Sequence, residues 1–432
     1  LIVTGVQTCA LPICYTIPTD TVIKAPEGRS VTMTVNHMVT AMQPGTYEGD
    51  VVFSVTQAVP SIGKVPMPSH ANRGEDAIVC YEHPYKAALF VDVDGTGRTR
   101  VETEKSVTAA LDGCTFDDAG IRGGRITNRE DYFNGILIAD GNYRISDLDI
   151  VYDANGGDDF ELYGAAIALG GYSDVVIDNV NIETHGSIAT TVAAAESSTV
   201  LIENSTLKAS GKDSREYRDN CMTEVPWVLG LKGTVRASNV LGDVDSTFYN
   251  VQAESDGWGV YSTDDAHGCK HQFVNSSAKI AKTGRYASGY GNYVLGGTNS
   301  NFFGVDYDIA TYGLIITGAG KEDLHIGPSS RENLLRYIGA DSKLAAETNG
   351  FADIPERNSV IRAGRSAIMW HGGEGSDSVV YIQPGTTLVT GGPTFLVKAQ
   401  GRKFPDGREK IGSSIPLLRG SLSIVSSFLY PR

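Results

Sequence analysis

The chain lacks most of what would tie it to nucleic acid, a bilayer or zinc. It carries 36 Lys and Arg against 51 Asp and Glu, a formal net charge of −15, whereas phosphate-backbone binding needs a basic face. Nucleic acid is therefore not an expected partner. No apolar run approaches the roughly 18 residues that span a bilayer, and the alanine-rich stretch from Ile188 to Ala195 is too short. No membrane span is expected in the visible chain. Cysteine is scarce, with six residues and neither a CxxC nor a Cys/His ligand spacing, so a zinc site is not expected. Cys9 and Cys14 fall in or beside a terminal run set aside below. The remaining four, Cys80, Cys114, Cys221 and Cys269, leave disulfides and free thiols both open.

What the chain does hold is turn chemistry. Fifty Gly, 20 Tyr and many Val, Thr, Ser, Asn and Asp describe short strands broken by frequent tight turns, an all-β composition. The run Val3-Thr4-Gly5-Val6-Gln7-Thr8-Cys9-Ala10-Leu11-Pro12-Ile13 reads as a translated sequencing adapter, so residues 1–14 are excluded from fold reasoning and a signal peptide is not observable. Residues 401–432 receive no assignment, and the stop at Pro431-Arg432 reads as a truncation. Between 15 and 105, apolar and polar residues alternate, as in Ser30-Val31-Thr32-Met33-Thr34-Val35, with a Pro44-Gly45 turn. This predicts an N-terminal antiparallel β cap or sandwich.

From 106 to 400 a register recurs. Val175-Val176-Ile177-Asp178-Asn179-Val180-Asn181-Ile182 aligns with Val200-Leu201-Ile202-Glu203-Asn204-Ser205-Thr206-Leu207 at an offset of 25 residues. The frame continues at Phe248-Tyr249-Asn250, 46 residues beyond Ile202 and read as two turns, and at Phe273-Val274-Asn275. Looser copies are Ile145-Ser146-Asp147-Leu148 and Phe302-Phe303-Gly304-Val305. Apolar residues flanking a single Asn describe two strands meeting at a one-residue corner, since Asn tolerates the left-handed conformation and its amide can bond to the coils above and below. A third strand in each turn is Gly164 to Leu169, Ala189 to Ala193, Trp258 to Ser262 and Gly289 to Val294. Repeats of this length make a solenoid, here a right-handed parallel β-helix of three strands per coil. Ser329-Ser330-Arg331-Glu332 is a capping box, followed by Leu334, Leu335 and Ile338 and ended by Gly339, so a short helical insertion near 329–349 is expected to pack on the solenoid's side.

On that register the chain resembles the pectate-lyase-like superfamily over roughly Val107 to Val397. The resemblance implies the fold, and through its members a polysaccharide lyase or glycoside hydrolase. Its polygalacturonase-like members carry Asn-Thr-Asp, Asp-Asp and Gly-His-Gly on successive coils. This chain offers Ser262-Thr263-Asp264-Asp265 and His267-Gly268 crowded together.

The densest candidate site is Asp256 to His267. If Phe302 is the equivalent of Phe273, Tyr261 lies under Tyr290 and Asp264 under Tyr293, which puts aromatics and acids on one outer face. Aromatic rings stack on sugar C–H groups while carboxylates bond to hydroxyls, so Trp227, Trp258, Tyr261, His267, Tyr290 and Tyr293 are the expected substrate-binding residues; core filling is the competing reading. Inverting hydrolysis needs two carboxyls roughly 6.5–9.5 Å apart, for which Asp256 or Glu224 could pair with Asp264 or Asp265; lyase chemistry needs a base such as Lys270 or Arg285. Asp256, Asp264, Asp265 and Lys270 are thus the catalytic candidates. Calcium is the one cofactor considered, at the acidic turn Asp153 to Glu161, which lacks EF-hand spacing. The expectation is a monomeric, secreted or surface-exposed protein that binds polysaccharide or a surface glycan along one flank, with an enzyme on acidic polysaccharide or a structural adhesin or stalk as alternatives.

Overall fold

The computed structural model describes residues 7–8, 15–19, 29–36, 38–48, 51–57, 86–156, 162–211, 231–264, 268–284, 286–295, 298–318, 323–372, 378–399, 401–403, 409–411 and 417–420. Short strands whose alternate residues are apolar pair in parallel with the strand one coil on, and they build three stacked sheets of 11, 10 and 11 strands. The first sheet holds Asp174–Asp178, Thr199–Glu203, Asp245–Tyr249, Lys270–Val274 and Asn299–Phe303 in consecutive rungs. The second holds Asn181–His185, Thr206–Ser210, Gln252–Ser255 and Ser277–Ile280. The third runs through Ile167–Leu169, Val192–Ala194, Val235–Leu241, Trp258–Asp264 and Gly289–Leu295. The chain is a right-handed parallel β-helix with three strands per coil.

The corner between the first and second sheets is a single left-handed residue, at φ 55° in Asp147, 52° in Asn179, 50° in Asn204, 52° in Asn250 and 50° in Asn275. Each corner N–H donates to a carbonyl of the next coil: Asn179 to Glu203, Asn204 to Tyr249, Asn250 to Val274 and Asn275 to Phe303, at 2.9–3.2 Å. The side chains form a file as well, with Asn179 Nδ2 donating to Asp147 Oδ1 at 2.6 Å and Asn250 Nδ2 to Asn204 Oδ1 at 2.9 Å. The next position alternates Val and Ser. The hydroxyl oxygens of Ser205, Ser276 and Ser359 each accept the N–H of a Val in the coil before, at 3.1 Å. Gly304 ends the Asn file at φ +68°, and a Cβ there would lie 2.2 Å from Asn275 Oδ1.

Inside, Phe248, Phe273 and Phe302 stack face to face, with centroids 5.0 and 5.1 Å apart and planes within 9° of parallel. Such stacks contribute about 0.5–1.5 kcal/mol each beyond area burial. Both sides of the third sheet are buried. Its inward side chains, such as Ile136, Ile167 and Val192, join the central core, while Leu137, Ala168 and Ala193 join a second apolar cluster.

The coordinates change three expectations. Ile202 pairs directly with Phe248, so the 46-residue interval is one coil carrying an insertion, not two coils. Lys86–Val93 is already a rung of the third sheet, so the solenoid begins ahead of residue 106. Its amino rim is closed by three strands that reverse direction, Thr99–Val101, Leu111–Asp112 and Thr115–Asp117, each antiparallel to the first rung of its own sheet. Partly buried Val101, Ala110, Leu111 and Phe116 pack on the core there. Upstream, Arg29–Val35 pairs antiparallel with Val51–Gln57 and Met38–Thr40, and Gln7–Thr8 pairs with Val51–Gln57.

Truncating Phe273 to Ala is expected to cost about 3–5 kcal/mol of unfolding free energy, read as a lowered denaturant midpoint. Gly304→Ala is expected to destabilise by about 1–3 kcal/mol, since it adds a left-handed side chain and a clash.

Candidate functional site

The residues singled out in the third strand do not form an open face. Trp258, Tyr261, Tyr290 and Tyr293 are 2, 0, 1 and 4 % exposed. Tyr261 points into the lumen, where its ring lies 4.7 Å from Phe273 and its hydroxyl donates to Ser277 O at 2.9 Å. Trp258, Tyr290 and Tyr293 lie on the sheet's other side, packed with Leu231, Tyr312, Ile315 and Met369. The assumed frame also shifts. The first sheet steps by 29 residues from Phe273 to Phe302, but the third steps by 31, so Tyr290 pairs with Gly259, Asn292 with Tyr261 and Tyr293 with Ser262. The cause is a longer connection, since Ser277–Ile280 leads to Gly289 where Gln252–Ser255 leads to Trp258. Gly259 is required beneath Tyr290, whose ring would lie 2.2 Å from a Cβ.

Of the catalytic candidates, Asp256 and Lys270 have described side chains, and these two stand at separate places on the coil. Both carboxylate oxygens of Asp256 accept the Gly211 N–H, at 3.0 and 3.1 Å. Lys270 is an exposed residue starting a first-sheet strand, on the far side of the third strand from Asp256. Trp227, Glu224, Asp265, His267 and Arg285 lie outside the described residues, as does the side chain of Asp264. Of the acidic turn, residues 157–161 lie outside them too, and Asn155 donates to Asp131. Among the described residues, no group of three His, Cys, Asp or Glu side chains is placed to hold a metal ion. Cys80 and Cys221 also fall outside, while Cys114 and Cys269 carry free thiols; burial pushes the Cys269 thiol up to about 12.

Two arrangements that the sequence reading did not single out do converge. The first lies under the helical insertion. Ser330, not Ser329, caps Arg331–Asn333 by accepting from Asn333 N, the helix widens to a π turn over Leu334–Ile338, and Ser342 caps a second segment, Lys343–Glu347. Leu334, Leu344, Ala345, Phe351 and Ile354 bury against Leu201, Val274 and Phe303 on the outside of the first sheet. At the edge of that contact Arg144 bridges to Glu347 at 3.1 Å, Asp178 at 3.5 Å and Glu203 at 3.9 Å, and Lys343 pairs with Asp174. Glu203 is 5 % exposed, and burial, then Asp178 and Glu347, raise its carboxyl to about 7 against the pull of Arg144.

The second is a cleft of about 300 Å³ at the corner, where the chain returning from the insertion crosses the Asn file. Asn275 Nδ2 turns away from Asn250 to donate to Pro355 O at 2.8 Å, so the file breaks between these two residues. Asn250 Oδ1, and the buried Asn275 Oδ1, accept no hydrogen bond from a described residue. Gln252, Ser277, Asp306, Arg357 and Asn358 also line it, together with Ser276, Gly304 and Val360. Arg362 holds Asp306 at 2.6 Å, whereas the exposed Arg357 guanidinium forms no ion pair with a described residue. The cleft therefore presents amides, hydroxyls and one uncommitted cation. Elsewhere on the second sheet Lys208 pairs with Glu183 and Lys279 with Glu254, both at 3.2 Å.

Comparison with protein-family models, with curated proteins and with solved structures finds no match.

Buried aromatics predict a stability phenotype. Tyr261→Ala is expected to lower unfolding free energy by about 3–5 kcal/mol and Tyr261→Phe by about 1 kcal/mol through the lost hydrogen bond. Chemical denaturation separates this from a ligand-stacking role, in which neither change would move the midpoint.

Proposed function

We propose that this protein binds a polysaccharide or surface glycan at the corner cleft, as a secreted or surface-exposed β-helix. The carrying observation is the broken Asn file. Asn250 Oδ1 is left without a donor from a described residue at an open cleft, beside Gln252, Ser277 and Asn358. A sugar hydroxyl both donates and accepts, which is what a lining of Asn, Gln and Ser asks of a partner. The single carboxylate of the described lining, Asp306, is tied to Arg362. A hydrolase of the kind the pectate-lyase-like resemblance implies works with two carboxyls, so the reading is retention of a glycan rather than its cleavage.

Titration calorimetry against oligosaccharides chosen from a glycan array tests the reading. Gln252→Ala, Arg357→Ala and Asn358→Ala are each expected to weaken binding about 3- to 10-fold, the loss of about 0.5–1.5 kcal/mol per hydrogen bond. A folded triple variant that binds as tightly as the parent, or an array without any bound glycan, would overturn it.

A further inference from the structure

The charged residues under the insertion are poorly matched for a permanent contact. Glu203, Asp178 and Glu347 share the Arg144 guanidinium, so three carboxyls meet one cation at the seam between residues 328–358 and the first sheet. The other groups facing Glu203 do not correct the imbalance. Tyr249 lies in register with it on the next coil, and beyond Tyr249 are Asp353 and Arg357 of the returning chain; Lys343 is spent on Asp174. Asn204 Nδ2 donates to Asp178 Oδ1 at 3.0 Å. Unshared negative charge in a half-buried seam opposes closure unless one carboxyl is neutral.

We propose that residues 328–358 are a proton-gated arm, which rests on the first sheet while Glu203 holds its proton and loosens when that proton leaves. The inference rests on the glycan reading for its functional sense, because the same segment supplies Arg357 and Asn358 to the cleft and receives the Asn275 amide at Pro355. The direction follows from burial. With the arm down, Glu203 titrates near 7; with the arm lifted it regains water and falls toward the ordinary carboxylate value of 4.5. A carboxyl raised in the closed state favours closure fully below the lower value and loses that contribution as pH climbs through the upper one.

Hydrogen exchange of the unliganded protein, read by mass spectrometry and corrected for intrinsic rates, tests the gate. Protection over Leu334–Ile354 is expected to fall at least about tenfold between about pH 5.5 and about pH 8 in the parent protein. Glu203→Gln is expected to stay protected throughout. Glu347→Gln, which removes a like charge from the arm without touching the rungs, is expected to move the midpoint to lower pH. A flat parent profile, or a Glu203→Gln profile that keeps the step, would overturn the gate. An unmoved Glu347→Gln midpoint counts against it equally. These readouts need no ligand, so failure of glycan binding leaves them standing. Exchange that steps with pH while glycan affinity stays level would remove only the link between arm and cleft.

Discussion

Everything in this molecule is built on a backbone N–H that has to be satisfied at a sharp corner. A chain turning in one left-handed residue leaves that donor pointing along the axis of the solenoid, where only the neighbouring coil can accept it. The bond from Asn204 to Tyr249 O is the same bond as that from Asn250 to Val274 O, and it fixes the vertical register of two sheets at once. The Val and Ser that alternate at the following position solve the next donor by a different route, a hydroxyl reaching down from the coil above. Once these are placed, Phe248, Phe273 and Phe302 have no choice but to stack.

That constraint explains which parts of the fold could be read in advance. Asn at a fixed spacing, flanked by aliphatics, is a signal because the left-handed corner admits few residue types. The pairing of Ile177 with Ile202 and of Phe248 with Phe273 followed from it. The same reasoning failed between Ile202 and Phe248, since a coil absorbs extra residues at a turn without altering the rungs on either side. The third strand was harder, because both of its sides are buried. An inward Tyr261 and an outward Tyr293 then look alike in sequence, and Trp258, at φ +72°, interrupts the alternation.

The converging polar residues were hidden for another reason. Asp178 and Glu203 were visible as neighbours in adjacent coils, but Arg144 reaches them from the coil before and Glu347 from more than 140 residues further along the chain. No periodicity connects an insertion to the rungs it covers. The cleft likewise depends on where the chain re-enters the solenoid: Pro355 draws the Asn275 amide out of line, and only then does Asn250 have an oxygen to offer. A repeat therefore announces the scaffold, while the exceptions to it carry the chemistry.

The reversed strands at the amino rim bear on self-association. A solenoid whose end rung shows bare parallel strand is a template, and a second molecule can continue it as a fibre. Here that rim presents pieces of only two or three residues running the opposite way, too short to recruit another chain's strand. Among the described residues, that pole therefore offers a second molecule no bare parallel rung to extend in register.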